Sequence, residues 1–411
     1  MKINETYETK ILRLNNETEG VGIIDGITTF IPYALPLEIV KVKIDNMYDN
    51  YARGTLVEIL KESSDRIDPV CPYFYKCGGC NLMHLNYDSG LEFKKEKIES
   101  IFKKITNENI KVNNIYNGNN LYYRNKITLK VDKNKIGYYK EKTNTLIDID
   151  KCFIVDNKIN NVIKDLKDFI NNYPDNEINE IMIRVIDNKV MISIDNISIN
   201  YKDLFIDKLN NLDSIYINNN LVYGEKVLVE TIDNYKFNIS PKSFFQVNKK
   251  VSKMMYEKAV SYIDKSDITL DLYSGTGTIT ALLSEKSKKV IGIEVVKEAV
   301  NDANNNLKIN NISNVEFICD KVENKIETLK KLNIDNIVLD PPRSGSDKKT
   351  LKSILEIKPN KIIYISCNPV TLARDYNVLK EKYIIKEINA YDMFSNTYHV
   401  ETVMVLEKKD V

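Results

Sequence analysis

Residues 270–278 read Leu-Asp-Leu-Tyr-Ser-Gly-Thr-Gly-Thr, and this stretch decides the fold of the C-terminal half. An apolar strand end runs there into a Gly-x-Gly turn, whose glycines let the backbone approach a ligand closely before a helix begins. About twenty residues later a second apolar stretch ends in Glu294, where such folds accept hydrogen bonds from a ribose diol. The third glycine of the dinucleotide fingerprint is missing, which disfavours a nicotinamide cofactor and favours S-adenosylmethionine. Taken by itself, the Gly-x-Gly segment could also be an ordinary glycine turn.

The pattern around that turn repeats from about residue 236 to the C-terminus, as short apolar strands that alternate with longer amphipathic helices. Residues 251–263 have the spacing of the first helix. Strands are expected at residues 290–294, 315–320, 336–340 and 361–366, each followed by a loop or helix. Such repeats predict an α/β fold with a parallel-rich, doubly wound, Rossmann-like sheet.

The front half has a different periodicity. Residues 8–60 alternate apolar and polar side chains in short strands broken by turns, which predicts a small antiparallel, OB-like β-barrel. Residues 91–112 have helical spacing, and residues 121–150 return to strand alternation. The predicted order is a barrel at 1–62, a cysteine segment at 63–90, an α+β central domain at 91–235 and the sheet-forming domain at 236–411.

The overall charge carries no information about partners, because 59 basic and 58 acidic residues leave a net charge of +1. Residues 1–70 hold 8 basic and 12 acidic residues, whereas residues 91–142 hold 13 basic and 6 acidic residues. Tyrosines lie among the lysines of the second stretch, around Tyr123-Arg124-Asn125-Lys126. This stretch is therefore the best candidate for contact with a nucleic-acid backbone, with a solvated lysine-rich helix as the alternative for residues 94–104.

Charged residues stand at the start of the chain where a signal peptide would need an apolar core, and no uncharged apolar run approaches ~18 residues. We expect a cytoplasmic protein that does not bind a membrane. Structural disulfides are unlikely in that reducing compartment, so the six cysteines are candidates for metal ligands, nucleophiles or buried apolar residues. Cys319, in a strand, is interpreted as buried packing, and the two histidines as structural residues.

Four of the cysteines have the spacing of metal ligands. Cys71, Cys77 and Cys80 lie close together in the sequence, and Cys152 follows at a distance. Four thiolates of this kind hold either an iron–sulfur cluster or zinc, and the spacing leaves both open.

Three further segments carry candidate chemistry. Residues 340–343 (Asp-Pro-Pro-Arg) and residues 366–369 (Ser-Cys-Asn-Pro) each follow an apolar strand, so their side chains belong to the same rim of the sheet. Asn-Pro must end the strand after Cys367 and turn its thiol outward. Glu401 interrupts an otherwise alternating terminal strand, and a buried carboxylate is costly unless it is used or paired.

Together these segments resemble the RNA 5-methyluridine methyltransferase family. The family's order and spacing also include residues 240–248 (Ser-Pro-Lys-Ser-Phe-Phe-Gln-Val-Asn), and the resemblance covers essentially the whole chain. Gly20-Val21-Gly22 and Phe30-Ile31-Pro32 resemble a TRAM domain, a small RNA-binding barrel. Two departures are Ser274, where the family usually has Cys, and Ser395-Asn396, where it has Pro-His or Pro-Gln.

The resemblance implies roles for individual residues. The implied contacts to S-adenosylmethionine are Gln246, Tyr273, Glu294, Asp320 and Asp340. Cys367 would be the nucleophile and Glu401 the base. Members of the family with the same cysteine arrangement imply a [4Fe–4S] cluster on Cys71, Cys77, Cys80 and Cys152.

The implied reaction needs both a thiolate and a base. Carbon 5 of uracil is too weak a nucleophile to attack a methyl sulfonium, but thiolate addition to carbon 6 gives an enolate that can. A base must then remove the proton from carbon 5, after which elimination releases the thiolate. The target uridine must be flipped out of any stacked structure to reach the site.

The expected substrate is 23S ribosomal RNA with a flipped uridine, without an obligate protein partner. The branch of the family that acts on transfer RNA is similar to the C-terminal two-thirds of the chain and lacks the front barrel and the cysteine cluster. RNA cytosine-5 methyltransferases are an alternative, although they carry Cys at the position of Arg343. An iron–sulfur RNA-binding protein without activity is a further alternative, but Cys367 and Glu401 are both intact.

Overall fold

A computed structural model describes residues 1–141 and 143–409. The chain divides into two compact units. The first comprises residues 1–97, 138–147 and 394–398, and the second comprises residues 98–137, 148–393 and the chain from residue 399 onward. Among the described residues, no helix has both the length and the apolar character needed to span a bilayer.

The N-terminal strands form a six-stranded sheet in the order β1-β5-β6-β4-β3-β2. The strands are β1 (Thr6–Lys10), β2 (Arg13–Leu14), β3 (Gly20–Ile24), β4 (Ile27–Ile31), β5 (Ile39–Met47) and β6 (Tyr51–Lys61). Val40, Val42 and Ile44 of β5 are fully buried and alternate with more exposed residues. The alternation in the sequence therefore reflects a half-buried strand, as predicted.

A long helix, α1 (Tyr87–Thr106), follows the cysteine segment, and a short strand, β7 (Asn114–Tyr116), comes next. Ile98, Ile101 and Phe102 of α1 are buried in the same core as the C-terminal strands. β7 pairs in parallel with a strand near the C-terminus, residues 389–391. Residues 114–116, predicted to belong to the central domain, thus extend the C-terminal sheet.

The central part of the chain forms a seven-stranded sheet and a separate hairpin. The sheet has the order β10-β9-β8-β11-β12-β13-β14, and the hairpin pairs β15 with β16. The elements are β8 (Lys126–Asp132), β9 (Lys135–Tyr139), β10 (Leu146–Asp148), α2 (Asn157–Asn172), β11 (Glu180–Ile186), β12 (Lys189–Ile194), α3 (Lys202–Lys208), β13 (Ser214–Ile217), β14 (Asn220–Gly224), β15 (Leu228–Ile232) and β16 (Tyr235–Ile239). Asp156 caps α2 by accepting a hydrogen bond from the Lys158 backbone, and the helix buries one apolar face.

The C-terminal part alternates helices and strands, as predicted. Its elements are α4 (Lys249–Ser261), β17 (Ser266–Leu272), α5 (Thr278–Leu283), β18 (Ser287–Glu294), α6 (Lys297–Ile309), β19 (Val315–Cys319), α7 (Val322–Leu329), β20 (Asn336–Leu339), α8 (Lys348–Ile357), β21 (Lys361–Ser366), α9 (Pro369–Leu379), β22 (Tyr383–Tyr391) and β23 (Glu401–Lys408). The sheet order is β19-β18-β17-β20-β21-β23-β22-β7.

Strands β17 to β21 of this sheet are all parallel, whereas β23 runs antiparallel between β21 and β22. The prediction of a parallel-rich α/β sheet is therefore confirmed. The strand order reverses at β17, whose neighbours are β18 and β20. Ligands bind at such a switch point, outside the carboxyl ends of the strands.

Candidate active site

The turn after β17 has an unusual backbone. Tyr273, Gly275 and Gly277 all have positive φ angles, of 64°, 54° and 80°. A Cβ atom on Gly277 would lie 2.7 Å from the Phe317 ring, so only glycine fits this position. The turn is held by the Ser274 backbone, which donates to the Ile293 carbonyl at 3.1 Å.

Glu294 closes one side of this turn. Its carboxylate accepts hydrogen bonds from the Gly275 backbone at 3.0 Å and from the Val296 backbone at 2.8 Å. These bonds fix the carboxylate beside the turn, and its remaining lone pairs can accept from a ribose diol.

A cavity of about 1050 Å³ opens at this point. Its lining includes Phe245, Tyr256, Asp271, Tyr273, Gly275, Glu294, Val295, Lys321, Asp340 and Pro342. Three predicted cofactor residues, Tyr273, Glu294 and Asp340, therefore line one cavity. Apolar walls and the carboxylates of Asp271, Glu294 and Asp340 suit a ligand that carries a diol, an ammonium and a sulfonium, so the residues present fit S-adenosylmethionine.

Asp320 lies beside the lining rather than in it. Its carboxylate accepts from the Lys321 backbone at 2.7 Å and from the Asn324 amide at 3.3 Å. The lining comes instead from the three residues that follow, 321–323. A role for Asp320 at the cofactor stays a prediction.

The segment 240–248 is held in place from the central sheet. Arg184 belongs to β11, and its side chain is buried. Its guanidinium donates to the Ser240 carbonyl at 3.0 Å and to the Ser243 carbonyl at 2.8 Å. The backbone of Asn125 donates to the Val247 carbonyl at 2.9 Å. A buried cation without a carboxylate is costly, and burial lowers the pKa of Arg184 to about 10.

Gln246 stands near the end of this segment with its side chain buried. Its amide lies close enough to the phenol of Tyr256 to lower the pKa of that phenol, against the larger upward effect of burial, and Tyr256 lines the cavity. Gln246 thus reaches the cavity through Tyr256, a residue that the sequence analysis missed.

Asp271 was also missed. It is 1% exposed at the end of β17, where the Thr280 hydroxyl donates to its carboxylate. Burial raises the pKa of Asp271 to about 7 and that of Asp340 to about 6. A carboxylate within the apolar run Leu-Asp-Leu was the available signal, because such a residue is buried at a cost.

The strand register brings Cys367 and Glu401 to one place. β21 and β23 are antiparallel, and their last pair is Ser366 with Thr402. Cys367 directly follows β21 and Glu401 is the first residue of β23, so the register brings the two residues close together, and the charge of Glu401 acts on the thiol. Asn368 then caps α9 by accepting from the Val370 backbone at 3.1 Å, which ends the strand as the Asn-Pro step predicted.

The charges around these two residues are mostly negative. Burial, together with Glu401 and Asp340, raises the pKa of the Cys367 thiol to about 11, while Arg343 opposes the rise. Burial and Asp340 raise the pKa of Glu401 to about 8, again with Arg343 opposing. With these pKa values, the Cys367 thiol and the Glu401 carboxyl group are both mainly protonated at neutral pH.

The other predicted site residues are the cysteines of the front half. Cys71 and Cys77 are partly buried, and the Gly79 backbone donates to the Cys77 sulfur at 3.4 Å. Burial raises the pKa of both thiols, and Cys71 contributes to the rise at Cys77. Within residues 1–141 and 143–409, no three His, Cys, Asp or Glu side chains are placed to hold a metal ion. The described residues therefore do not form an assembled metal site.

Cys319 was expected to be buried, and this was wrong. It is exposed at the end of β19, with its sulfur 3.9 Å from the Val295 carbonyl. The edge position of β19 in the sheet leaves this end of the strand open to solvent.

Comparison with known proteins identifies the family. The family model for tRNA (uracil-5-)-methyltransferases matches residues 86–409, and the model for the TRAM domain matches residues 2–57. The chain belongs to the tRNA (uracil-5-)-methyltransferase family. It is an S-adenosylmethionine-dependent RNA methyltransferase of the uracil-5 type, with a TRAM domain at its N-terminus.

Relatives of the enzyme cover its full length. A protein of Clostridium tetani named an uncharacterized RNA methyltransferase is 37% identical over 99% of this chain and 97% of its own. A protein of the same name from Caldanaerobacter subterraneus is 36% identical over 99% of both chains. Among solved structures, the tRNA (uracil-54, C5)-methyltransferase of Pyrococcus abyssi, in complex with S-adenosyl-L-homocysteine, matches 97% of this chain and 99% of its own, with 28% identity and a TM-score of 0.79.

Proposed function

We propose that the enzyme methylates carbon 5 of a specific uridine in 23S ribosomal RNA, with Cys367 as nucleophile and Glu401 as base. The observation that carries this proposal is the register of β21 and β23. It brings the thiol close to the carboxyl group, and the carboxylate of Asp340 acts on both. Asp340 also lines the cavity that suits the cofactor.

Bound S-adenosylmethionine supplies an electrophilic methyl group. Tyr273, Glu294 and Asp340 hold and orient it, with Gln246 acting from the side of Tyr256 and Asp320 from the edge of the cavity. Three of the five predicted cofactor residues line the cavity, and in this proposal Glu294 takes the ribose end and Asp340 the methyl end.

Cys367 forms a bond to carbon 6 of the uracil, and the negative charge that develops reaches carbon 5. Carbon 5 then takes the methyl group. The Glu401 carboxylate accepts the proton of carbon 5, the bond to sulfur breaks, and the ring double bond is restored. Since the pKa of Glu401 is raised to about 8, its basic form is present above that pH and is lost as the pH falls.

Two basic side chains near the 240–248 segment support an RNA contact. Burial, together with the charges of Arg184 and Arg124, lowers the pKa of Lys126 to about 8. The Arg124 guanidinium donates to the Lys126 carbonyl at 2.9 Å, which keeps the two basic residues close together. A phosphate of the RNA backbone would relieve this repulsion.

Ribosomal RNA is proposed as the substrate because the front barrel and the cysteine segment precede the catalytic sheet. These two parts of the chain enlarge the surface that can contact RNA. A specific observation favours transfer RNA as a second candidate: the Pyrococcus abyssi enzyme is named for uridine 54 of transfer RNA and matches 97% of this chain. The front half is therefore not restricted to enzymes of ribosomal RNA, contrary to our expectation. A cytoplasmic location, where both RNAs reside, is part of the proposal, and no membrane or obligate protein partner is required.

We expect the purified enzyme to methylate unmodified 23S fragments with an efficiency at least about tenfold above that on transfer RNA transcripts, a difference of ~1.4 kcal/mol. The measurement is incorporation of a labelled methyl group, with the modified nucleotide identified by mass spectrometry. Transcripts in which the modified uridine is replaced by cytidine are the matched control. Equal efficiency on the two RNAs would refute the choice of ribosomal RNA and leave the uridine chemistry intact.

A [4Fe–4S] cluster on Cys71, Cys77, Cys80 and Cys152 is proposed from the family resemblance, because the spacing of the four cysteines also fits zinc. The described side chains do not form an assembled metal site. Protein purified without oxygen should be brown and contain about four irons per chain. Cys77→Ser should lose the iron, whereas Cys319→Ser should keep it. Stoichiometric zinc without visible absorption, or protein without any metal, would contradict the proposal.

A further inference from the structure

Arg343 is tied to the nucleophile's segment through its backbone. Its carbonyl accepts hydrogen bonds from the Asn368 side-chain amide at 3.0 Å and from the Thr371 hydroxyl at 3.3 Å. Asn368 is the residue directly after Cys367, and Thr371 lies in the first turn of α9. The position of Arg343 is thereby fixed relative to the thiol, while its side chain is exposed.

The loop that carries Arg343 is clamped onto α9 at further points. The Arg374 guanidinium donates to the Ser344 carbonyl at 2.9 Å, and the Ser346 backbone donates to the Asp375 carboxylate at 2.8 Å. Asp375 is fully buried and also accepts from the Tyr364 hydroxyl at 2.6 Å.

Gly345 is required by this clamp. It has a φ of 77°, and a Cβ atom there would lie 2.4 Å from the Arg374 guanidinium and 2.7 Å from the Asp375 carboxylate. Only glycine therefore fits this position of the loop.

The charged groups that act on Cys367 come from two elements, strand β23 and the loop after β20. Glu401 at the start of β23 and Asp340 after β20 are acidic, and Arg343 is basic. Ionisation of a thiol beside two carboxyl groups is unfavourable, because like charges repel strongly in a partly buried site. The nearby cation is the group of opposite sign that can offset this cost.

We propose that Arg343 is a positioning residue whose charge, held beside Cys367 by the clamp on α9, favours ionisation of the thiol. The proposal rests on the proposed role of Cys367 as the nucleophile. The thiol loses its proton to water, and the positive charge of the guanidinium then offsets the negative charge of the thiolate. Arginine suits this task because it stays protonated at every pH at which the thiol titrates.

The test is the rate at which iodoacetamide alkylates Cys367, followed by mass spectrometry of the peptide that contains it. Iodoacetamide is neutral, so Arg343 does not attract it, and the thiolate displaces iodide as the C–S bond forms. Between pH 7 and 9.5 the rate is proportional to the thiolate fraction. Arg343→Gln should react about tenfold more slowly than the unchanged enzyme at each pH, and Arg343→Lys should retain most of the rate.

Two further variants distinguish an effect of charge on the Cys367 thiol from an effect on the access of the reagent to it. Lys348→Gln removes a positive charge five residues away and should alkylate at the normal rate. Glu401→Gln removes a negative charge and should speed alkylation at pH 9, where Glu401 is ionised, but change it little at pH 7. If Cys367 is alkylated as fast in the Arg343→Gln variant as in the unchanged enzyme, the proposal is overturned. Thiol ionisation is measured here without RNA, so this outcome is distinct from failure of Cys367 as the nucleophile.

Discussion

Cys367→Ala is expected to abolish methyl transfer, lowering the rate by at least about 10⁴-fold, because no other group then adds to carbon 6 of the uracil. The fold should be retained, since the side chain is small and only partly buried. Binding of S-adenosylmethionine should stay within about twofold of normal, because Tyr273, Glu294 and Asp340 are unchanged. Methyl transfer is measured with labelled cofactor on RNA, and cofactor affinity by calorimetry.

Cys319→Ala is the matched control for this experiment. It removes an exposed thiol at the end of β19 and should leave the rate of methyl transfer unchanged. Appreciable turnover by the Cys367 variant would exclude covalent addition by this residue.

Glu401→Gln is expected to trap the reaction after the methyl group has moved. The amide cannot accept the proton of carbon 5, so elimination stops and the enzyme stays bonded to methylated RNA. A complex of protein and RNA that survives denaturation should accumulate, and multiple turnover should cease. Gel electrophoresis under denaturing conditions measures the complex, and mass spectrometry locates it on Cys367.

The double variant Cys367→Ala with Glu401→Gln is the control, because it cannot form the bond to sulfur and should give no complex. Glutamine resembles the neutral carboxyl group that the raised pKa of Glu401 favours, so the fold should tolerate it. Methylation at the normal rate without any complex would exclude Glu401 as the base.

Much of the C-terminal half could be predicted because its candidate site residues lie at the ends of strands. Gly275 and Gly277, Asp340 and Cys367 each follow an apolar run, and parallel strands bring such ends to one edge of a sheet. The pairing of Cys367 with Glu401 was implied by the family resemblance. Periodicity alone could not give it, because the antiparallel insertion of β23 beside β21 leaves no local mark in the sequence.

The parts that were missed depend on tertiary contacts. In the sequence, Arg184 is a single charged residue within an apolar strand. Its two hydrogen bonds to the 240–248 segment join residues that are more than fifty positions apart. Tyr256 lies in an amphipathic helix, where an aromatic residue normally indicates core packing. The clamp around Gly345 likewise joins a loop to a helix that begins 24 residues later.

Strand β7 has a consequence for the order in which the protein is made and folded. Its Asn114 bonds to Asn389, a partner 275 residues away in the sequence. During synthesis β7 leaves the ribosome long before β22 exists, so this edge of the sheet can be completed only when nearly the whole chain has emerged. A fragment that starts at residue 236 would present the bare backbone of β22 to other molecules and invite aggregation by strand pairing. The strands of the C-terminal sheet are thus neighbours in space although β7 is far from the others in the sequence.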